Sequence, residues 1–157
     1  MKQITEQEAF FKLSAMCAAA EHCRHEMSGK MVRWQLPDDV QERIMQRLVD
    51  EKYIDEERYC RFFVRDKIRY NKWGRRKIEQ ALMMKRIPRD TIAAALNEVD
   101  PEEYIAILRP LLQSKRKTIK AASEYELNAK LTRFAMGRGF DMDIIRECVE
   151  RLAKVKR

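Results

Sequence analysis

An all-α fold is what this sequence predicts, and three observations carry that reading. Its 157 residues include only four glycines and four prolines, so few positions interrupt a helix. Apolar residues recur at spacings of three and four, the period of one helical face, over nearly the whole length. No segment sustains the strict alternation that a half-buried strand requires.

The start signals set the helices in order. Thr5 with Glu8 has capping-box spacing and opens a first helix over 5–21, followed by helices over 24–34 and, from Asp38, over 38–51. Asp55 starts a helix over 55–71, with shorter ones over 74–86 and 88–98. Asp100 followed by Pro101 opens a helix over 101–121, Ser123 with Glu126 one over 123–137, and Asp141 one over 141–155. Pro110 lies inside the seventh of these, where it removes a hydrogen bond and crowds a carbonyl, and predicts a kink or break.

The pattern repeats. Ile78, Leu82, Ile87, Ile92 and Leu96 fall on Leu131, Ala135, Phe140, Ile145 and Val149 at a constant shift of 53 residues. A shift of 51 brings Met27, Met31, Leu36, Gln41 and Met45 into the same columns, with Pro37 on Pro88; Gln41 breaks the apolar pattern. Three tandem three-helix repeats follow, over 1–52, 53–99 and 100–157. A unit of about 50 residues buries little by itself, so the repeats are expected to share core in an elongated, curved array. The apolar stripes, Met83-Met84 included, are expected to be core.

Several function classes lack their residues. Cys17, Cys23, Cys60 and Cys148 have no framework spacing and read as reduced thiols. The run Ala9–Ala20 imitates a signal peptide, but Glu6 and Glu8 precede it and Lys12 interrupts it, so the expectation is a soluble cytoplasmic protein without a membrane span. Cys17, His22, Cys23 and His25 form no zinc-type pair of pairs, and no metal or cofactor is expected. Gly-rich phosphate loops, HExxH and a nucleophile with an evident base are missing, so no catalytic residue is assigned and the protein is read as a non-enzyme.

Charge is the strongest functional signal. The formal net charge is +8, yet Arg58 to Arg89 alone holds twelve Lys or Arg against two acids, Asp66 and Glu79. On a continuous α-helix Arg58, Arg61, Arg65, Arg69 and Lys72 fall within an arc of about 80° and form a stripe about 21 Å long. Tyr59, Cys60, Phe63, Val64, Ile68 and Tyr70 take the other side as core, with Lys67 the one charge among them. Arginines three and four apart repel, so a stripe without interleaved acids points to an external anion, phosphate or carboxylate. Arg75, Arg76 and Lys77 continue the surface, and Lys115, Arg116, Lys117 and Lys120 extend it into the third repeat.

The same segment carries a recognisable order of residues: Tyr53-Ile54-Asp55, Arg58-Tyr59, Phe63, Arg65, Gly74, Ile78, Leu82, Lys85 and Ile87. With Ala20-Glu21-His22-Cys23-Arg24, Glu26-Met27 and Lys30 before it, and Lys130-Leu131 and Arg138-Gly139-Phe140 after it, the chain resembles the RecX family of RecA regulators. Lys52 and Arg86 stand where that family usually has glycine, and Cys60 where it usually has alanine. The resemblance implies a helical-repeat protein that binds the RecA recombinase filament on single-stranded DNA and restrains its recombinase, ATPase and coprotease activities; a monomer is expected. Two other classes stay open on the residues alone. One is a free-standing helical DNA- or RNA-binding protein with little sequence specificity, since the helix after Pro88 centres on Ala93, Ala94, Ala95 and Leu96. The other is a scaffold for an acidic protein.

Overall fold

A computed structural model describes residues 3–155; the outer ends of the first and third expected repeats, residues 1–2 and 156–157, lie outside the described residues. The described residues form helices and connections, with no strand. In chain order they are α1 (Glu6–Ala19), α2 (Arg24–Arg33), α3 (Asp38–Asp50), α4 (Glu56–Asp66), α5 (Arg75–Met84), α6 (Arg89–Asn97), α7 (Pro101–Arg116), α8 (Glu124–Gly137) and α9 (Met142–Val155). A π-helical turn, Lys67–Asn71, follows α4 directly.

The helix starts are chemically explicit. Thr5 accepts the Glu8 amide at 3.1 Å, and Ser123 accepts that of Glu126 at 3.1 Å. Asp100 and Glu103 form a reciprocal box, the first accepting the Glu102 amide at 2.9 Å and the second the Asp100 amide at 3.0 Å. Each such cap contributes about 1 kcal/mol. Asp38 is not a cap: the N-cap is Pro37, and Asp38 is the first helical residue, where its charge meets the positive helix end.

The repeat shows in the backbone. Gln35, Arg86 and Gly139 all have positive φ, at 58°, 58° and 90°, and are related by the sequence shifts of 51 and 53. Each donates its amide to the carbonyl three residues earlier, Val32, Met83 and Met136, at 2.9 Å. One left-handed turn therefore joins the second and third helices of every repeat, and two of the three turns adopt it without glycine. Gln41, the break in the apolar columns, donates its side-chain amide to the Leu36 carbonyl in that turn at 2.8 Å. Of the other residues in the apolar columns all are buried except Val149, which is half-buried.

The described residues group into two compact units, the first running through Phe62 with Leu82–Ile92, the second comprising Phe63–Ala81 and the chain from Ala93. In the first, α3 packs on α1 and α2 around Leu13, Met27, Met31, Ile44 and Leu48, all fully buried and each worth about 1.5–3 kcal/mol. Arg47 stacks on the Phe10 ring at 3.6 Å. Glu26 accepts the Cys23 amide at 3.0 Å and Lys85 Nζ at 3.1 Å. Burial alone would raise its pKa, but these two donors hold it below the ordinary carboxylate value.

In the second unit α7, α8 and α9 pack on one another and the π turn packs on α7. Its tightest joint is backbone on backbone. The Gly74 amide donates to the Arg138 carbonyl at 2.8 Å, and the Arg76 amide to that of Gly139 at 2.9 Å, which satisfies two orphan donors at the start of α5. A Cβ at Gly74 would lie 2.4 Å from Phe140 Cα, and one at Gly139 2.4 Å from Lys77 Cβ. Only glycine fits either position.

Some expectations need correction. Pro110 does not break α7, which runs through to Arg116. Pro110 and Ala106 are both exposed, so the carbonyl deprived of its partner faces water, while Tyr104, Ile105, Leu108 and Leu112 stay buried on the opposite side. The helix stops at Arg116, five residues early, where the Thr118 hydroxyl and amide capture the Lys115 carbonyl at 2.8 and 3.0 Å. Met83 and Met84 are exposed at 41% and 77%, and the core position of that segment is Leu82 alone. Tyr70 is 71% exposed: the π turn holds more residues per turn, so positions past Ile68 fall behind the 100° progression and leave the core side. For the same reason the five-residue stripe is not one straight row. Lys72 lies beyond the helix with φ 57°, its ammonium donating to the Arg69 carbonyl at 3.2 Å.

Candidate partner and nucleic-acid interface

The cations separate into those engaged by acids of the same chain and those that are not. Arg58 donates to the Glu21 carboxylate, with one contact at 3.0 Å, and to the carbonyls of Lys52 and Tyr53 at 3.2 and 3.3 Å. It ties the end of the α3–α4 turn to the end of α1, and the pairing with Glu21 raises its own pKa. Arg61 pairs with Glu57 at 3.7 Å, and Arg65 with Glu103. Farther on, Arg76 pairs with Asp141 at 3.3 Å. Half-buried Arg116 donates to the Leu152 carbonyl at 3.0 Å and lies 3.4 Å from Glu124. Arg75 donates to the neutral Asn97 side chain at 2.9 Å.

The second group sits on aromatic rings or in solvent, although its Lys67 also pairs with Asp66 at 3.7 Å. Lys67 and Lys77 place their ammonium groups 5.5 and 4.9 Å from the centre of the Trp73 ring. Lys67 is also 5.2 Å from Phe63, which explains the one charge on an otherwise apolar helix side. Lys115 and Arg138 lie 5.1 and 5.4 Å from the Phe134 ring. Arg69, Lys117 and Lys120 are exposed. Lys67, Trp73, Phe134 and Arg138 were not among the sequence-predicted site residues. The available signal was a tryptophan with lysines four residues after and six before it, a spacing that reads as a charge run until the ring is placed.

The four cysteines are free and buried, and burial pushes the Cys60 and Cys148 thiols up to about 12 and 11, away from thiolate chemistry. Among the described residues no three His, Cys, Asp or Glu side chains gather as a metal site, and no helix is long and apolar enough to cross a membrane. A groove of about 860 Å³ in the first unit is lined by both signs, Arg24, Lys85 and Arg86 with Asp38, Glu42 and Glu56, so it presents no single-sign field.

Comparison with known proteins places this arrangement. The models of the second and third three-helix domains of RecX match residues 55–96 and 102–149. The regulatory protein RecX of Chlorobium limicola is 30% identical over 154 residues, covering 97% of this chain and 94% of that protein. The chain belongs to the RecX family. The regulatory protein RecX of Clostridium perfringens is 26% identical over 158 residues, covering 97% of this chain and 74% of that one. The crystal structure of RecX from Lactobacillus salivarius shares the fold with a TM-score of 0.84 at 18% identity, over 94% of this chain and 96% of that one. The all-helical tandem-repeat architecture is thus that of RecX proteins.

Several residues that carry the family resemblance also meet one another within this chain. Arg58 meets Glu21, Lys85 meets Glu26, and Gly74 meets Arg138-Gly139-Phe140. Many residues of the RecX-like signature therefore hold one another in place.

Proposed function

We propose that the protein is a non-enzymatic, monomeric, cytoplasmic regulator of the RecA recombinase, which binds the RecA filament on single-stranded DNA and inhibits its recombinase, ATPase and coprotease activities. The single observation that supports this most is membership of a family of regulatory proteins combined with a basic surface whose cations are only partly neutralised from within. Arg69, Lys72, Lys77, Lys115, Lys117 and Lys120 are the residues assigned to the polyanionic partner. They have no carboxylate partner among the contacts above, and releasing them from water, a ring or, for Lys72, the Arg69 carbonyl costs little. Several weak contacts spread over repeats supply affinity without a deep pocket. The three repeats, with divisions near residues 52 and 99, are the units that multiply those contacts.

The test is DNA-dependent ATP hydrolysis and strand exchange by RecA with sub-stoichiometric amounts of this protein. The expected result is inhibition well below one protein per recombinase; unchanged rates at every ratio reject the proposal.

A further inference from the structure

Trp73 and Phe134 are 61 positions apart in sequence, yet Arg138 touches the surroundings of both within the second unit. Its guanidinium donates to the Asn71 carbonyl at 3.2 Å while lying 5.4 Å from the Phe134 ring. Its carbonyl accepts the amide of Gly74, the residue after Trp73, at 2.8 Å. Both rings are half-buried, so part of each meets solvent, and 71%-exposed Tyr70 lies three residues before Trp73. Each ring carries two cations and is held on rigid elements, Phe134 within α8 and Trp73 beside the Gly74 joint.

We propose that Trp73 and Phe134 form a stacking platform for the unpaired bases of single-stranded DNA, with Lys67, Lys77, Lys115 and Arg138 moving from the rings to the flanking phosphates when the strand binds. An exposed cation on a ring is worth about 0.5–1 kcal/mol, whereas a base stacked on an aromatic side chain is worth about 1–3 kcal/mol. The exchange is downhill because the displaced ammonium or guanidinium then gains a phosphate. A duplex offers phosphates and no free base faces, so the platform favours single strands. Every base has a π face, so it reads no sequence. The inference rests on the reading that DNA is one partner of this surface, and it assigns how that DNA is held.

The chain has two tryptophans, Trp34 and Trp73, so Trp34→Phe leaves Trp73 as the only indole reporter. This variant is titrated with a short oligo(dT), with an abasic oligonucleotide of equal length, and with a duplex. Expected are quenching of Trp73 emission by oligo(dT) alone and roughly ten- to hundred-fold weaker oligo(dT) binding in Phe134→Ala, with binding of the abasic strand unchanged. Trp73→Tyr in the natural background, followed by fluorescence anisotropy of labelled oligo(dT), should keep most of the affinity and Trp73→Ala should lose it. Equal affinity for abasic and base-bearing strands, or Trp73 emission unchanged at saturation, overturns the proposal. RecA inhibition measured on the same preparations separates the two readings: inhibition with no stacking sinks only the platform, and stacking with no inhibition sinks only the regulator.

Discussion

Two neighbouring stretches of basic sequence turn out to be physically different. Along α4, Arg58, Arg61 and Arg65 each have a carboxylate of the same chain, from Glu21, Glu57 and Glu103. Around the π turn and the start of α5, Lys77 sits on Trp73 instead and Lys67 shares that ring while pairing with Asp66 at 3.7 Å, as Lys115 and Arg138 sit on Phe134. A carboxylate neutralises a cation and holds it, whereas a ring face leaves its charge available to phosphate. Self-repulsion along α4 is therefore relieved largely from within and makes only a weak demand for an external partner. The region with fewer internal acids is the better candidate for contact with DNA.

The largest effect is expected at the joint beneath the aromatic region. Gly74→Ala puts a Cβ 2.4 Å from Phe140 backbone atoms, which cannot rotate away, and should lower unfolding free energy by about 3 kcal/mol or more in urea denaturation. Next in size is Arg58→Ala, which removes the Glu21 pair and two carbonyl contacts and should cost about 1–2 kcal/mol. Arg69→Ala, in the other class, should leave the denaturation midpoint unchanged within error. If the two behave alike, the division between engaged and available cations fails.

A smaller effect is read in pH. Burial raises the Cys60 and Cys148 thiols from the usual 9.0 to about 12 and 11, so the unfolded chain ionises first as pH rises. The stability they contribute is complete below pH 9 and declines from there up to about pH 11 for Cys148 and about pH 12 for Cys60; Cys60→Ala, measured by urea denaturation from pH 9 upward, should flatten the decline. Smallest is Lys52→Gly or Arg86→Gly. Each relieves a left-handed residue at φ 62° or 58° worth about 1 kcal/mol, partly offset by the greater freedom of glycine when unfolded. A net gain of about 0.5 kcal/mol per site is expected in thermal melts.

Much of the fold was legible. Capping residues and the three-and-four spacing located every helix to within a few residues, apart from the end of α7, because caps and apolar faces are local chemistry. The repeat shifts of 51 and 53 reappear as one turn at Gln35, Arg86 and Gly139. The π turn was not legible, since nothing in Lys67–Asn71 departs from ordinary helix composition, and it alone removes Tyr70 from the core and bends the basic row. The site was half legible. Counting cations finds the basic segment, but the partners that distinguish Arg65 from Lys77 lie 38 residues away in Glu103 and four away in Trp73, and spacing alone does not weight them.

The most direct test of this division compares single-stranded DNA affinity against salt for Arg61→Gln with Arg65→Gln, and for Lys77→Gln with Lys115→Gln. Removing one cation from a phosphate should lower the slope of log affinity against log salt by about 0.7. In the lysine pair the slope is predicted to fall by about 1.4, while in the arginine pair it stays near that of the natural protein. A slope that falls in the arginine pair and holds in the lysine pair would refute the division.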